Sequence, residues 1–181
     1  MTQDTPPTIA AHLARIATGP SAADEAYDIR IAADGTWFYQ GTPIGRPALC
    51  KLFATVLRRD ASGDFWLITP AERGRISVDD APFVAVTVDA LAGPATMDTT
   101  LTFTTNLDHS VVAGANHPIS VRYRRGDDTP RPYILIDQDK GLEALIARPV
   151  FYELVDRAVH HDDRIGVWSK GQFFPLDRDP G

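Results

Sequence analysis

The segment from Arg46 to Trp66 recurs 102 positions later without a gap. Arg46-Pro47 falls on Arg148-Pro149, Leu52 on Leu154, Asp60 on Asp162 and Trp66 on Trp168, five identities in 21 positions. The apolar sites keep step as well, with Leu49, Phe53, Val56 and Leu57 falling on Phe151, Val155, Ala158 and Val159. Both copies therefore carry one apolar stripe at helical spacing. Each is opened by a proline, whose missing donor would be unpaired in a first helical turn anyway, and each runs into a strand bearing tryptophan. A duplicated helix-strand unit constrains the chain to an α+β fold of two related β-rich halves, 1–80 and 81–181.

The rest of the chain fits that division. Ile9, Leu13 and Ile16 mark a short amphipathic helix closed by Gly19-Pro20. From Tyr27 the period becomes two: Tyr27, Ile29 and Ile31 alternate with polar or small residues, Asp34-Gly35 turns the chain, and Trp37 and Tyr39 lie on the return strand. A helix from Arg46 to Arg58 follows, then strands at Phe65–Thr69 and Ile76–Val78, so the first half reads β-β-α-β-β. Pro82–Val88 is almost wholly apolar, the mark of a strand covered on both faces. Further strands are expected around Leu101–Phe103, Val111–Val112, Ile119–Tyr123 and Tyr133–Ile136. Leu142, Leu145 and Ile146 suggest one or two helical turns over Gly141–Ala147. After Arg148-Pro149 a second helix covers 149–159, and a hairpin through Lys170-Gly171 closes the chain.

Charge and cysteine content narrow the function classes. A formal net charge of −6 argues against a dedicated nucleic-acid or membrane-surface binder, either of which needs a basic field. Of the 18 basic residues 15 are arginine, the side chain suited to bidentate capture of carboxylate or phosphate. Cys50 is the sole cysteine, which leaves no intramolecular disulfide and no thiolate metal cluster; inside a helix it reads as a small apolar residue. Residues 1–7 are polar and no stretch approaches a membrane span, so a soluble cytoplasmic protein is expected. The phosphate loop, the dinucleotide fingerprint, the nucleophile elbow and the zinc-protease helix motif are all absent from the sequence, and no cofactor is implied.

The segments DGTWFYQGTPIGR (34–46), LITPAERGRISVDDAPFVAV (67–86), RPVFY (148–152) and GVWSKGQFFPL (166–176) resemble the bacterial domain-of-unknown-function family 1285, with the likeness extending from about residue 27 onward. The N-terminal segment departs from the family in lacking its tryptophan-proline stretch. The resemblance implies a largely β architecture with a duplicated core and a second half superficially like pleckstrin-homology folds. It also implies a ligand site at the interface of the halves, a nucleotide-like ligand and a role in signalling.

Arg46 and Arg148 are the leading candidate ligand residues. Each stands at a helix start, where unpaired backbone donors and the positive end of the helix dipole already favour an anion. Both also admit a structural reading, paired with a carboxylate such as Glu72 or Asp80. Tyr152 lies four positions beyond Arg148 on the same helical face, placed either to cover a flat ligand or to join the core. Trp37 and Trp168 offer stacking surfaces or core bulk. Ser169 belongs to the motif after Trp168, where a hairpin tip equally explains it together with Lys170. Glu72 and Asp80 are carboxylates of the family motifs that serve acid-base work or cap turns, and His160-His161-Asp162-Asp163 reads as a metal cluster or a solvated loop. The expectation is a non-catalytic sensor binding a small anionic, nucleotide-like ligand through Arg46, Arg148, Tyr152, Trp168, Ser169 and Glu72, without metal, nucleic acid or membrane. A protein- or peptide-binding adaptor is the rival, and a small hydrolase the third reading.

Overall fold

The computed structural model describes residues 25–70, 72–91, 96–124 and 126–178, so the helix expected around Ile9–Ile16 and the turn at Gly93-Pro94 lie outside the described residues. The chain is β-rich and divides into two compact units. Among the described residues the first takes Glu25–Arg30 and those of Trp37–Ser77, and the second takes Ile31–Thr36 and those of Val78–Arg178.

The first unit is built on β1 (Glu25–Ile31), β2 (Trp37–Tyr39), β3 (Thr42–Pro43), β4 (Leu57–Arg59), β5 (Phe65–Ile68) and β6 (Arg73–Val78), with α1 (Pro47–Thr55) between β3 and β4. The six strands form one sheet in the order β3-β2-β1-β6-β5-β4. Alternation decides its faces: Leu57 pairs with Leu67, and Phe65 with Ile76, on the buried side. Against them pack Cys50, Phe53 and Ala54 of α1, with the Phe53 ring stacked on Trp37 at 6.0 Å between centroids. Burial pushes the Cys50 thiol pKa up, consistent with a packing role. Gly74 is required here because the Tyr27 ring occupies the space a Cβ would take.

The second unit holds β7 (Phe83–Leu91), β8 (Thr100–Thr105), β9 (Ser110–Val112), β10 (Ile119–Arg122), β11 (Arg131–Asp137), β12 (Leu142–Ile146), α2 (Arg148–Asp156), β13 (Val159–His161), β14 (Arg164–Ser169) and β15 (Gln172–Pro175). Six of the strands make a sheet ordered β10-β11-β12-β7-β8-β9, and the last three make a meander, β13-β14-β15. β9 and β10 are opposite edges of the larger sheet, yet only residues 113–118 join them. Six flat strands would span about 24 Å at ~4.8 Å spacing. The connection cannot stretch that far, because Gly114 and His117 exchange backbone hydrogen bonds of 3.2 and 3.1 Å and fold it back on itself. The sheet must curl to bring its edges together.

Two expectations need correction. Gly141–Ala147 is not helical: Leu142, Ala144 and Ile146 form the buried face of β12, which lies parallel to β7 with Ala144 opposite Phe83 and Ile146 opposite Ala85. The spacing of Leu142, Leu145 and Ile146 fits a helix in isolation, but a buried strand partner supplies every second residue with a core contact. Both helices are also shorter than expected, ending at Thr55 and Asp156, because the residues beyond enter β4 and β13.

The recurrence survives as topology and fails as residue matching. Each half presents a helix opened by Arg-Pro and then an antiparallel meander. However, β4 and β5 are joined by residues 60–64, whereas β13 and β14 are joined by Asp162 and Asp163 alone, both at positive φ. The shorter turn shifts the register, so Trp66 pairs with Arg58 while its positional counterpart opposite His160 is Ile165, not Trp168.

Gly166 tests the packing of the meander. A Cβ there would meet the Phe174 carbonyl oxygen and would stand 2.7 Å from Cζ of Phe173. Gly166→Ala is expected to destabilise the protein by about 1–3 kcal/mol through overpacking, read as a lower urea midpoint with an unchanged slope. An unchanged midpoint would show that the hairpin relaxes freely.

Candidate functional site

At the end of β12 the chain turns from strand to helix within one residue. The Ala147 amide donates to the Ala85 carbonyl (3.0 Å), completing the ladder, and Arg148 begins α2. Pro149 fits the first turn and cannot extend the strand pairing. This helix start has no side-chain cap and no acidic residue in its first turn. The amides of Arg148 and Val150 therefore lack partners within the helix, and the dipole's positive end is uncompensated.

That helix start forms one wall of a 540 Å³ cleft contributed wholly by the second unit. Arg148, Phe151 and Tyr152 line it from α2, Leu145–Ala147 from the end of β12, and the 128–132 segment from the approach to β11. Phe151 and Ile146 are buried and give the cleft an apolar floor, whereas Tyr152 is 57% exposed, its ring available at the rim. Arg148 is exposed and makes no ion pair with any described residue.

The structural pairings open to Arg148 are not made. Asp80 is taken by Arg131, whose guanidinium bonds its carboxylate, and by the Tyr133 hydroxyl, which donates to Oδ1 at 2.7 Å. Arg122 is bidentate to Glu143 at 2.7 and 2.5 Å and lies over the Tyr133 ring at 4.4 Å. The network answers a problem of register: Arg122 and Arg131 are directly opposed on β10 and β11, a repulsive pair unless each finds its own carboxylate. Burial first, and then the hydrogen bond to Asp80, push the Tyr133 phenol pKa above its ordinary value. Arg131 thus reaches the cleft already neutralised, and Asp128 is paired with Arg178 at 2.7 Å. Arg148 is left as the cleft's uncommitted charge among its described residues.

The other sequence candidates are dispersed. Arg46 is the N-cap residue of α1, exposed, with no ion pair to any described residue, in the first unit. Glu72 closes the β5–β6 turn, its carbonyl accepting from the Thr69 amide at 2.9 Å and its amide donating to the Thr69 hydroxyl at 3.2 Å. Its Oε1 is buried without a hydrogen-bond partner among the described residues. Trp168 is half-buried in a ring cluster, 4.8 Å from His161 and 5.3 Å from Phe173 between centroids. Ser169 is fully buried and its hydroxyl is doubly used: it accepts from the Leu101 amide at 3.0 Å and donates to the Ala113 carbonyl at 2.7 Å. Those bonds give it a structural task. His160 and His161 lie on β13, with His161 Nε2 3.2 Å from Asp162.

Arg148 and Tyr152 are thus the two candidates that the fold brings to one cleft. The residues missed in the sequence are those of 128–132, where Pro130 and Pro132 bracket Arg131 and hold the segment extended. Prolines either side of an arginine were the available signal.

The second unit thus joins a curled β-sheet to an uncapped helix start beside an arginine-bearing cleft, within a chain that is mostly β. The chain belongs to the DUF1285 family: the model for its N-terminal domain, a domain of unknown function, matches residues 19–81, and that for its C-terminal domain, also of unknown function, matches residues 82–176. A solved DUF1285 family protein from Silicibacter pomeroyi DSS-3 is 42% identical, with a TM-score of 0.81 over 95% of this chain and 96% of that one. Another, from Shewanella baltica OS155, is 26% identical, with a TM-score of 0.55 over 72% of this chain and 92% of its own. Among curated proteins none matches the chain.

Ser169→Ala would strand the buried Leu101 amide and release the 113 carbonyl. The expected loss is about 1–3 kcal/mol of stability, measured by equilibrium denaturation. A neutral substitution would mean that neither bond holds β14 against β8.

Proposed function

We propose that the protein binds a small anionic ligand in the α2 cleft and acts as a sensor rather than as an enzyme. The observation that carries this is Arg148, unpaired among the described residues, standing on an uncapped helix start that faces a 540 Å³ cleft. Guanidinium and backbone donors there suit the same phosphate or carboxylate group. Tyr152, exposed at the rim one helical turn away, covers a flat moiety, so the ligand class is an anion attached to a planar ring, nucleotide-like in outline. The curled six-stranded sheet followed by a helix supports the superficial likeness to pleckstrin-homology folds, while the function is argued from the cleft itself, since fold alone does not set it. With Asp80 engaged by Arg131 and Tyr133, the hydrolase reading loses one of its two motif carboxylates.

Thermal unfolding of the full chain against nucleotides, cyclic nucleotides and inorganic anions tests this. A ligand at a hundred times its dissociation constant adds about 2.7 kcal/mol, an upward shift of roughly 5–10 °C for a chain of this size. The shift is expected to vanish in Arg148→Ala and to shrink in Tyr152→Ala. A hit that survives Arg148→Ala unchanged would contradict the assignment of the anion site.

A further inference from the structure

The solvated face of the first unit carries an ordered row of side chains unrelated to the α2 cleft. On β4, β5 and β6 the register sets Arg58 opposite Trp66 and Trp66 opposite Arg75, so one tryptophan lies between two arginines across three strands. Two residues along, Ile68 pairs with Arg73 and shares that face. Trp66 and Ile68 thus form a short apolar stripe, with arginine on both flanks. The ordering is held in place: the Trp66 indole donates to Asp60 Oδ2 at 2.9 Å, and the Arg73 guanidinium lies over the indole at 5.3 Å. Arg58, Arg73 and Arg75 are exposed, Ile68 is 39% exposed, and Arg58 has no ion pair with any described residue.

On a solvated sheet face, an apolar stripe flanked by arginines presents contact area and positive charge side by side. We infer that this face docks an acidic peptide segment, with an apolar side chain seated on Trp66 and Ile68 and flanking carboxylates meeting Arg58 and Arg75. Charge selects the occupant. The protein as a whole bears −6, yet this row bears three arginines, so a local acidic partner is attracted where a large polyanion meets general repulsion. A continuous phosphate backbone would also run into Asp60 and Asp64, the latter 3.5 Å from Arg75, whereas a peptide can place its carboxylates between them.

The test uses the full chain and a fluorescein-labelled peptide with glutamates on both sides of a Leu-Phe pair, followed by anisotropy at low and physiological salt. The wild type is expected to bind, and the Arg58→Glu/Arg75→Glu variant to bind at least about tenfold more weakly, with circular dichroism and unfolding midpoint unchanged. If that variant does not fold, Arg58→Gln alone decides: weaker binding supports the docking face and equal binding overturns it. Absence of binding by the wild type, equal binding by the charge-reversed protein, or tighter binding of an oligothymidine probe lost in the same variant would each overturn the inference, the last by assigning the face to single-stranded nucleic acid.

Discussion

The pairing of β12 with β7 is the constraint on which the second unit depends. It is parallel where its neighbours are antiparallel, and it joins segments about sixty residues apart in the chain. Buried on one face through Phe83, Ala85, Ala144 and Ile146, it fixes a strand that local spacing alone leaves ambiguous. It also fixes where that strand stops. The last ladder bond, from Ala147 to Ala85, is followed by Arg148-Pro149, so the helix begins there, with its first residue on the lining of the cleft. The position of Arg148 is a consequence of sheet register, not of a loop free to wander.

A second tie keeps the terminal meander in place. Ser169 bonds Leu101 and the 113 carbonyl, while the Lys170 and Gly171 amides donate to Thr99 and Met97 at 2.9 and 3.0 Å. The tip turns through Lys170 and Gly171, both at positive φ, which suits glycine and lets the two backbone donors point back to the sheet. Residues that resemble a functional Ser-Lys-Gly motif therefore act as an anchor. The polar network of Asp80, Arg131, Tyr133, Arg122 and Glu143 does comparable work, neutralising two opposed arginines at the rim of the cleft.

Much of the fold was legible in the chain. Alternation at Tyr27–Ile31, the Asp34-Gly35 turn, the two Arg-Pro helix starts and the Lys170-Gly171 hairpin all act locally, and all stand where their spacing puts them. What escaped is nonlocal. Leu142, Leu145 and Ile146 satisfy helix and strand alike, and only Phe83–Ala85 decides between them. The gapless match of Trp66 with Trp168 hid a change in turn length that shifts the register. Of the candidate site, Arg148 and Tyr152 were legible because residues four positions apart on one helix share a face; the burial of Ser169 and the contribution of 128–132 were not, since both depend on strands far away in sequence.

The most direct measurement is a nitrogen-15 amide titration of the whole chain with adenosine monophosphate, and with inorganic phosphate in parallel. If the parallel pairing builds an anion site at the α2 start, the expected perturbations centre on the amides of Arg148, Val150 and Phe151 and on residues 128–131, and phosphate alone moves the helix-start amides. Saturable shifts elsewhere with these amides unmoved, or no saturable shift with either probe, would contradict that account.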